Sequence, residues 1–130
     1  MLIHYAGLAP DPHGDIYGMF DCHGWNMAFD HKAQRLNGVY DFSDSGIGQL
    51  HQDFIYPAFI SPELPLRMVA YYENACGRTL DCARIVTLIG AFRLVELASA
   101  AGNPGAAAQM RTNVMSWLHY ISVQNETWKR

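Results

Sequence analysis

Asp21-Cys22-His23-Gly24-Trp25-Asn26, and then Val39-Tyr40-Asp41-Phe42, are the two pieces of this chain that decide its fold. Between them lie two short strand-like runs, residues 27–29 and 36–40, separated by the polar stretch 30–35, a pattern that predicts a hairpin with a longer loop. The order Asp, Asn, hairpin, Asp-Phe sets three oxygen-bearing side chains at loop ends on one edge of that hairpin, where they can converge on a metal-bound phosphate. Taken singly, Asp21, Asn26 and Asp41 are ordinary turn residues that bond their own backbone. The signal lies in the ordered set.

Outward from the hairpin, the sequence changes character. Residues 2–17 contain Pro10, Pro12 and Gly14 and read as loop. After Gly46 and Gly48, residues 50–59 predict a short helix that stops near Pro57, because proline lacks a backbone donor and disfavours helix just before it. Over residues 65–76, Met68, Tyr71, Tyr72 and Ala75 recur at helical spacing and Gly77 follows as a stop. Thr79 is the expected cap of a second helix reaching about residue 101, with Asp81 in its first turn and Gly102 at its end. That helix is apolar on nearly every side and belongs in the middle of a bundle. Asn103-Pro104 opens a third helix through roughly residue 122, with Met110, Val114, Trp117, Leu118 and Ile121 on one face. The expected fold is α+β, mostly α: one domain over residues 1–130, with a lead-in at 1–17, a catalytic and metal-binding segment at 18–54 and a helical bundle at 62–123.

Composition limits the partners. Of 130 residues, half are hydrophobic and 16% are charged, which suits a folded core and argues against disorder. The net charge is −3 and the basic residues are scattered apart from Lys129 and Arg130, so neither nucleic acid nor an anionic membrane is expected as a partner. Thr87, Arg93, Glu96 and Ser99 interrupt the longest apolar run, which is therefore a buried helix and not a membrane span. Cys22, Cys76 and Cys82 are an odd number without a CxxC spacing, and no signal-peptide pattern precedes them; a reducing, cytoplasmic setting is expected. His4, His13, His31, His51 and His119 match no zinc spacing. Trp25, Trp117, Trp128 and the Tyr71-Tyr72 pair read as core or interface packing.

Asp21-x-His23-x-x-Asn26 resembles the D-L-H-x-x-N core of the aminoglycoside phosphotransferase and choline kinase-like superfamily, whose members share the protein-kinase arrangement. The segment from Asn37 through Asp41 and Phe42 to Gly48 is similar to the family's G-V-I-D-F-G-D-A-G-I-G, and Asp53 falls at the last Asp of its D-P-x-x-D-L helix. The resemblance covers residues 18–54 and implies a kinase-like C-terminal lobe: the hairpin, then the helical bundle. It implies ATP- and magnesium-dependent phosphoryl transfer to a hydroxyl of a small molecule. Asp21 would orient or deprotonate that hydroxyl, His23 would hydrogen-bond within the catalytic loop, and Asn26 and Asp41 would hold magnesium and, through it, ATP. Asp53 would hold the loop by accepting its backbone donors, and the helices after Pro62 would choose the acceptor.

The chain departs from the family at Met19-Phe20, where His-Gly is usual, and at Gln49-Leu50, where Asp-Pro is usual. His13-Gly14-Asp15 offers a competing register, but Phe20 then falls where a metal ligand is needed. The Gly-rich loop and lysine of an N-terminal lobe are expected to be absent, since no lysine precedes Asp21. By this expectation the chain alone is weakly active or inactive. Two further readings follow: a non-catalytic interaction module that pairs with another copy or with a separate N-lobe through an apolar face, and a metal-dependent hydrolase using the same carboxylates.

Overall fold

The computed structural model describes residues 5–124. His4, Trp128, Lys129 and Arg130 lie outside them. The architecture is mixed α+β: two separate two-stranded antiparallel sheets packed at one end of a set of helices.

The hairpin forms where its alternation predicts it. Strand β2 (Met27–Asp30) pairs with β3 (Arg35–Val39), with a bulge between Ala28 and Phe29. Asp30 turns the loop by accepting the Lys32 and Ala33 N–H groups at 2.9 Å.

The second sheet corrects two expectations. Residues 15–17, expected as loop, belong to strand β1 (Asp15–Gly18), and Gly46–Gln49 form β4, with Ile16 opposite Gly48 and Tyr17 opposite Ile47. Strand β4 runs directly into α1 (Leu50–Asp53), a single turn, and a 3₁₀ turn follows at Tyr56–Phe59. The continuous helix expected over 50–59 does not form. Pro57, without an N–H, sits in the first turn of the 3₁₀ segment, and the chain resets between the two pieces.

Helix α2 (Leu64–Cys76) ends at Gly77, whose φ of 67° is the left-handed cap conformation that glycine takes without a Cβ clash. Met68 and Tyr72 pack on the core, while Tyr71 is exposed. Helix α3 (Cys82–Ser99) starts later than expected and is capped by Asp81, not Thr79: the Asp81 carboxylate accepts from the Arg84 N–H at 2.9 Å. Asp81 stays outside the helix in an extended conformation, and side chains from earlier in the chain hold the donors of Leu80 and Asp81. Glu73 takes the Leu80 N–H at 2.7 Å and His51 takes the Asp81 N–H at 2.9 Å. The helix stops at Ser99 and a 3₁₀ turn covers Ala100–Gly102. Helix α4 (Pro104–Val123) opens as expected, with Asn103 accepting from the Ala106 N–H. No helix of the described residues is long and apolar enough to cross a membrane.

The core is one cluster: Leu50 and Phe54 after β4, Ala58 of the 3₁₀ turn, Val69 of α2, Ile85 and Ile89 of α3, and Trp117 of α4. Helix α3 contributes Ile85, Val86 and Ile89, more buried core residues than any other single element, as its all-round apolar surface predicts. Trp25 does not belong to this core; it is 86% exposed.

Beneath β4 lies a buried polar relay. His51 is wholly buried, its Nε2 accepts from the Asp81 N–H, and its proton therefore resides on Nδ1, which donates to Asp11 at 2.6 Å. Asp11 also accepts the His51 and His13 N–H groups at 3.0 and 2.9 Å. Arg84 completes the layer through Ala9 O and Gln49. Burial by itself would raise the Asp11 carboxyl, but the hydrogen bonds from His51 and His13 outweigh it and hold the group below its ordinary value. A lowered carboxylate contributes stability that is present above its unfolded pKa, about 3.9, and is lost as pH falls through the lower folded value. Asp11→Ala is expected to cost about 1–3 kcal/mol at neutral pH by orphaning the His51 donors. Thermal melts of the two proteins should converge as pH drops below about 4; a gap that stays constant would refute the assignment.

Candidate functional site

The site is assembled from a carboxylate far along the chain. Asp53, at the end of α1, accepts the Phe20 N–H at 2.8 Å and the Met19 N–H at 3.3 Å. Phe20 sits at φ 53°, a left-handed conformation unfavourable for a bulky residue, and Asp53 holds it there. The Phe20 ring then covers the β1–β4 ladder where side chains are absent. A Cβ at Gly48 would lie 2.7 Å from the ring and one at Gly18 would lie 2.9 Å from both the ring and Asp53.

This kink presents Asp21. Its Oδ2 accepts from Asn26 Nδ2 at 2.7 Å, and Nδ2 also reaches Asp21 O at 3.0 Å. Both partners are acceptors, so the amide orientation of Asn26 is fixed by chemistry and its Oδ1 faces away from Asp21. The other carboxylate oxygen, Oδ1, lies 3.2 Å from His23 Nε2. Asn26 is buried.

Asp41 joins through the backbone. The Tyr40 N–H donates to Asn26 O at 3.0 Å and the Tyr40 hydroxyl donates to Trp25 O at 2.5 Å, so Asp41 directly follows a residue tied twice to the loop that carries Asp21. Asp41 has φ 59°, a left-handed conformation that Asp tolerates better than most residues, and its Oδ1 accepts from the Ser43 hydroxyl at 2.8 Å. It is exposed.

On the opposite side of Asp21 opens a cleft of about 590 Å³. It is lined by Asp21, His23 and Trp25, by Tyr56 and Phe59, by Phe92 and Glu96 of α3, and by Gln109, Met110 and Asn113 of α4. Asn26 and Asp41 are not among its lining residues. Burial, with Asp53 and Asp21 nearby, pushes the Cys22 thiol up, so it stays protonated and is no nucleophile. Burial and the charges of Asp21, Asp53 and Asp44 likewise push the Tyr56 hydroxyl up. Burial also raises Glu96, an effect that the charge of Arg93 partly offsets.

The sequence profile of the phosphotransferase enzyme family matches residues 20–86, just over half of the chain. The chain belongs to that family. No curated protein and no solved structure matches it. Asp21, His23, Asn26, Asp41 and Asp53 all fall within the matched residues. The competing register stands elsewhere: Asp15 opens β1 opposite Gln49, and His13 donates to Thr79 O.

Sequence reasoning placed the loop residues but missed the far wall of the cleft. Tyr56, Phe59, Phe92 and Glu96 come together only when the 3₁₀ turn packs on α3. One signal was available: Glu96 is the single acidic residue of α3.

Asp53→Ala should remove the acceptor for two backbone donors and cost about 1–3 kcal/mol. Amide exchange at Met19 and Phe20 is expected to accelerate strongly while Ile85 and Ile89 in α3 keep most of their protection. Unchanged exchange at the two loop amides would show that Asp53 does not hold them.

Proposed function

We propose that this phosphotransferase-family chain is a kinase-like C-terminal lobe that supports transfer of the terminal phosphoryl group of ATP to a hydroxyl of a small molecule. The observation that carries this reading is the Asp21–Asn26 couple, with one carboxylate oxygen held by an amide, the other beside His23, and Asp21 lining a cleft. In such a reaction the acceptor oxygen bonds to the terminal phosphorus, the bond from that phosphorus to its bridging oxygen breaks, and the hydroxyl proton passes to a carboxylate. Asp21 is the carboxylate for that role, because it lines the cleft and Asn26 restricts its rotation. His23 positions Asp21 through the contact at 3.2 Å.

Asn26 and Asp41 suit magnesium. Asn26 has its Nδ2 committed to Asp21, which leaves Oδ1 as its ligating atom, and Asp41 has Oδ2 to offer beside the Oδ1 that holds Ser43. Among the described residues, no group of three or more His, Cys, Asp or Glu side chains forms a metal cage. Two side-chain oxygens without a cage fit an ion that keeps waters and phosphate oxygens in its shell. When bound, magnesium would neutralise charge on the phosphates of ATP.

Calorimetry with magnesium and ATP should show binding that Asp41→Asn weakens about tenfold or more, and Asp21→Asn should lower any transfer rate by about 100-fold or more while leaving nucleotide binding intact. Equal nucleotide binding by the chain and its Asp41→Asn variant, or none by either, would count against the reading.

A second reading has its own observation. Tyr17 and Ile47 are cross-strand partners exposed at 74% and 73%, and Phe29 and Leu36 on the hairpin are also exposed. Such apolar surface suits a covering body, either a second copy or an ATP-covering lobe. If the chain self-associates through this face, Ile47→Lys should shift its sedimentation toward the monomer; a strictly monomeric chain at high concentration would remove the copy as occupant.

A further inference from the structure

Two ligands from different parts of a chain hold one ion only if something fixes the distance between them. Magnesium tolerates little deviation from an octahedron with oxygens at about 2.0–2.1 Å, so neighbouring side-chain ligands must come within about 3 Å of each other. Of the pair Asn26 and Asp41, Asn26 is the fixed member: it is buried and its amide is bound twice to Asp21. Asp41 is exposed on the turn after β3. The bonds of that turn are internal to it, from the Ser43 hydroxyl to Asp41 at 2.8 Å and from the Ser45 N–H to Phe42 O at 3.1 Å, so they shape the turn without anchoring it to Asn26.

Tyr40 supplies that anchor at two points. Its N–H reaches Asn26 O at 3.0 Å and its hydroxyl reaches Trp25 O at 2.5 Å, both in the 3₁₀ turn Gly24–Asn26 that carries the fixed ligand. One bond would let the end of the hairpin hinge about it; a second, from the far end of a rigid side chain, removes that freedom. The N–H bond is open to almost any residue at this place, whereas the hydroxyl bond is not. The family's G-V-I-D-F segment has isoleucine where Tyr40 stands, and isoleucine carries no side-chain donor. Nor does the ring serve as core: Tyr40 is 52% exposed and lies outside the central cluster. Met19 and Phe20, where the family has His-Gly, give Asp53 their backbone N–H groups and offer no polar side chain to the loop. The phenol is a polar tie added on the opposite side.

Resting on the magnesium reading of Asn26 and Asp41, we propose that Tyr40 is a positioning residue for the metal. Its hydroxyl clamps the exit of the hairpin to the turn Gly24–Asn26 and thereby sets the separation of Asn26 Oδ1 from Asp41 Oδ2. Tyr40 gives no atom to the ion, because its hydroxyl is engaged with Trp25 O; it acts through Asp41.

Tyr40→Phe removes the hydroxyl and keeps the ring, at a half-exposed position where the chain should still fold. Manganese takes the same oxygen ligands as magnesium and broadens the NMR signals of nuclei near it. Titrated into the full chain, alone and with ATP, it should broaden the Asn26 side-chain amide and the Asp41 N–H. Tyr40→Phe and Tyr40→Ile should each weaken manganese about tenfold or more, the effect of losing a group that orients a ligand. Tyr71→Phe, which alters an exposed tyrosine of α2, should leave the affinity unchanged. Because Tyr40 acts through Asp41, adding Tyr40→Phe to Asp41→Asn should cost no more than about twofold further. Without metal, hydrogen exchange at the amide of residue 40 should accelerate in Tyr40→Phe while Ile85 keeps its protection. Unchanged manganese affinity in Tyr40→Phe, or full additivity with Asp41→Asn, would overturn the positioning role and leave the magnesium reading standing. Unchanged exchange at residue 40 would overturn the clamp itself. Failure of manganese to bind the unaltered chain would overturn the magnesium reading and with it the metal role of Tyr40, and the exchange comparison would still decide whether the hydroxyl holds the loop.

Discussion

A carboxylate that reaches back more than thirty residues sets the conformation on which the site depends. Asp53 gains two charge-assisted hydrogen bonds from Met19 and Phe20, and these offset the strain of Phe20 at a positive φ. From that point the site is a chain of short constraints. Phe20 wedges over two glycines, Asp21 is thrown outward, Asn26 clasps it, and the hairpin returns Tyr40 to Asn26 and so delivers Asp41. Each link is a backbone donor or a single side-chain pair, which is why the geometry tolerates Met19 and Phe20 where the family has a polar pair.

Asp21 also separates two environments. Toward Asn26 and Asp41 the side chains offer oxygens, that of Asn26 buried and those of Asp41 exposed. Toward Glu96 the walls are aromatic, and the nearby thiol of Cys22 and phenol of Tyr56 are both driven to their neutral forms by burial and negative charge.

Much of this was legible in the sequence, for local reasons. The hairpin, Gly77 as a helix stop and Asn103-Pro104 as a helix start are encoded within a few residues, and so is the spacing of Asp21 and Asn26. The role of Asp53 as an acceptor for the loop followed from the family resemblance, and the bonds from Met19 and Phe20 are those it implies. What escaped was non-local. Strands β1 and β4 pair residues about thirty apart, and the glycines that make room for Phe20 look like loop residues until the ring is in place. Thr79 and Asp81 are both competent caps, and the choice fell to Asp81 because Glu73 and His51 hold the intervening backbone extended. The wall at Phe92 and Glu96 needed the packing of α3 against the 3₁₀ turn, which no periodicity reports.

The imidazole of His51 bears on where the fold may be cut. It is clamped between the lead-in at Asp11 and the start of α3 at Asp81, so elements some seventy residues apart share one proton-ordered joint. A fragment begun just after Asp11 would keep every strand and helix described and still bury an imidazole N–H with nothing to receive it. By secondary structure alone the boundary would fall at β1; by hydrogen-bond accounting it falls before Asp11, inside a stretch that looks like dispensable loop.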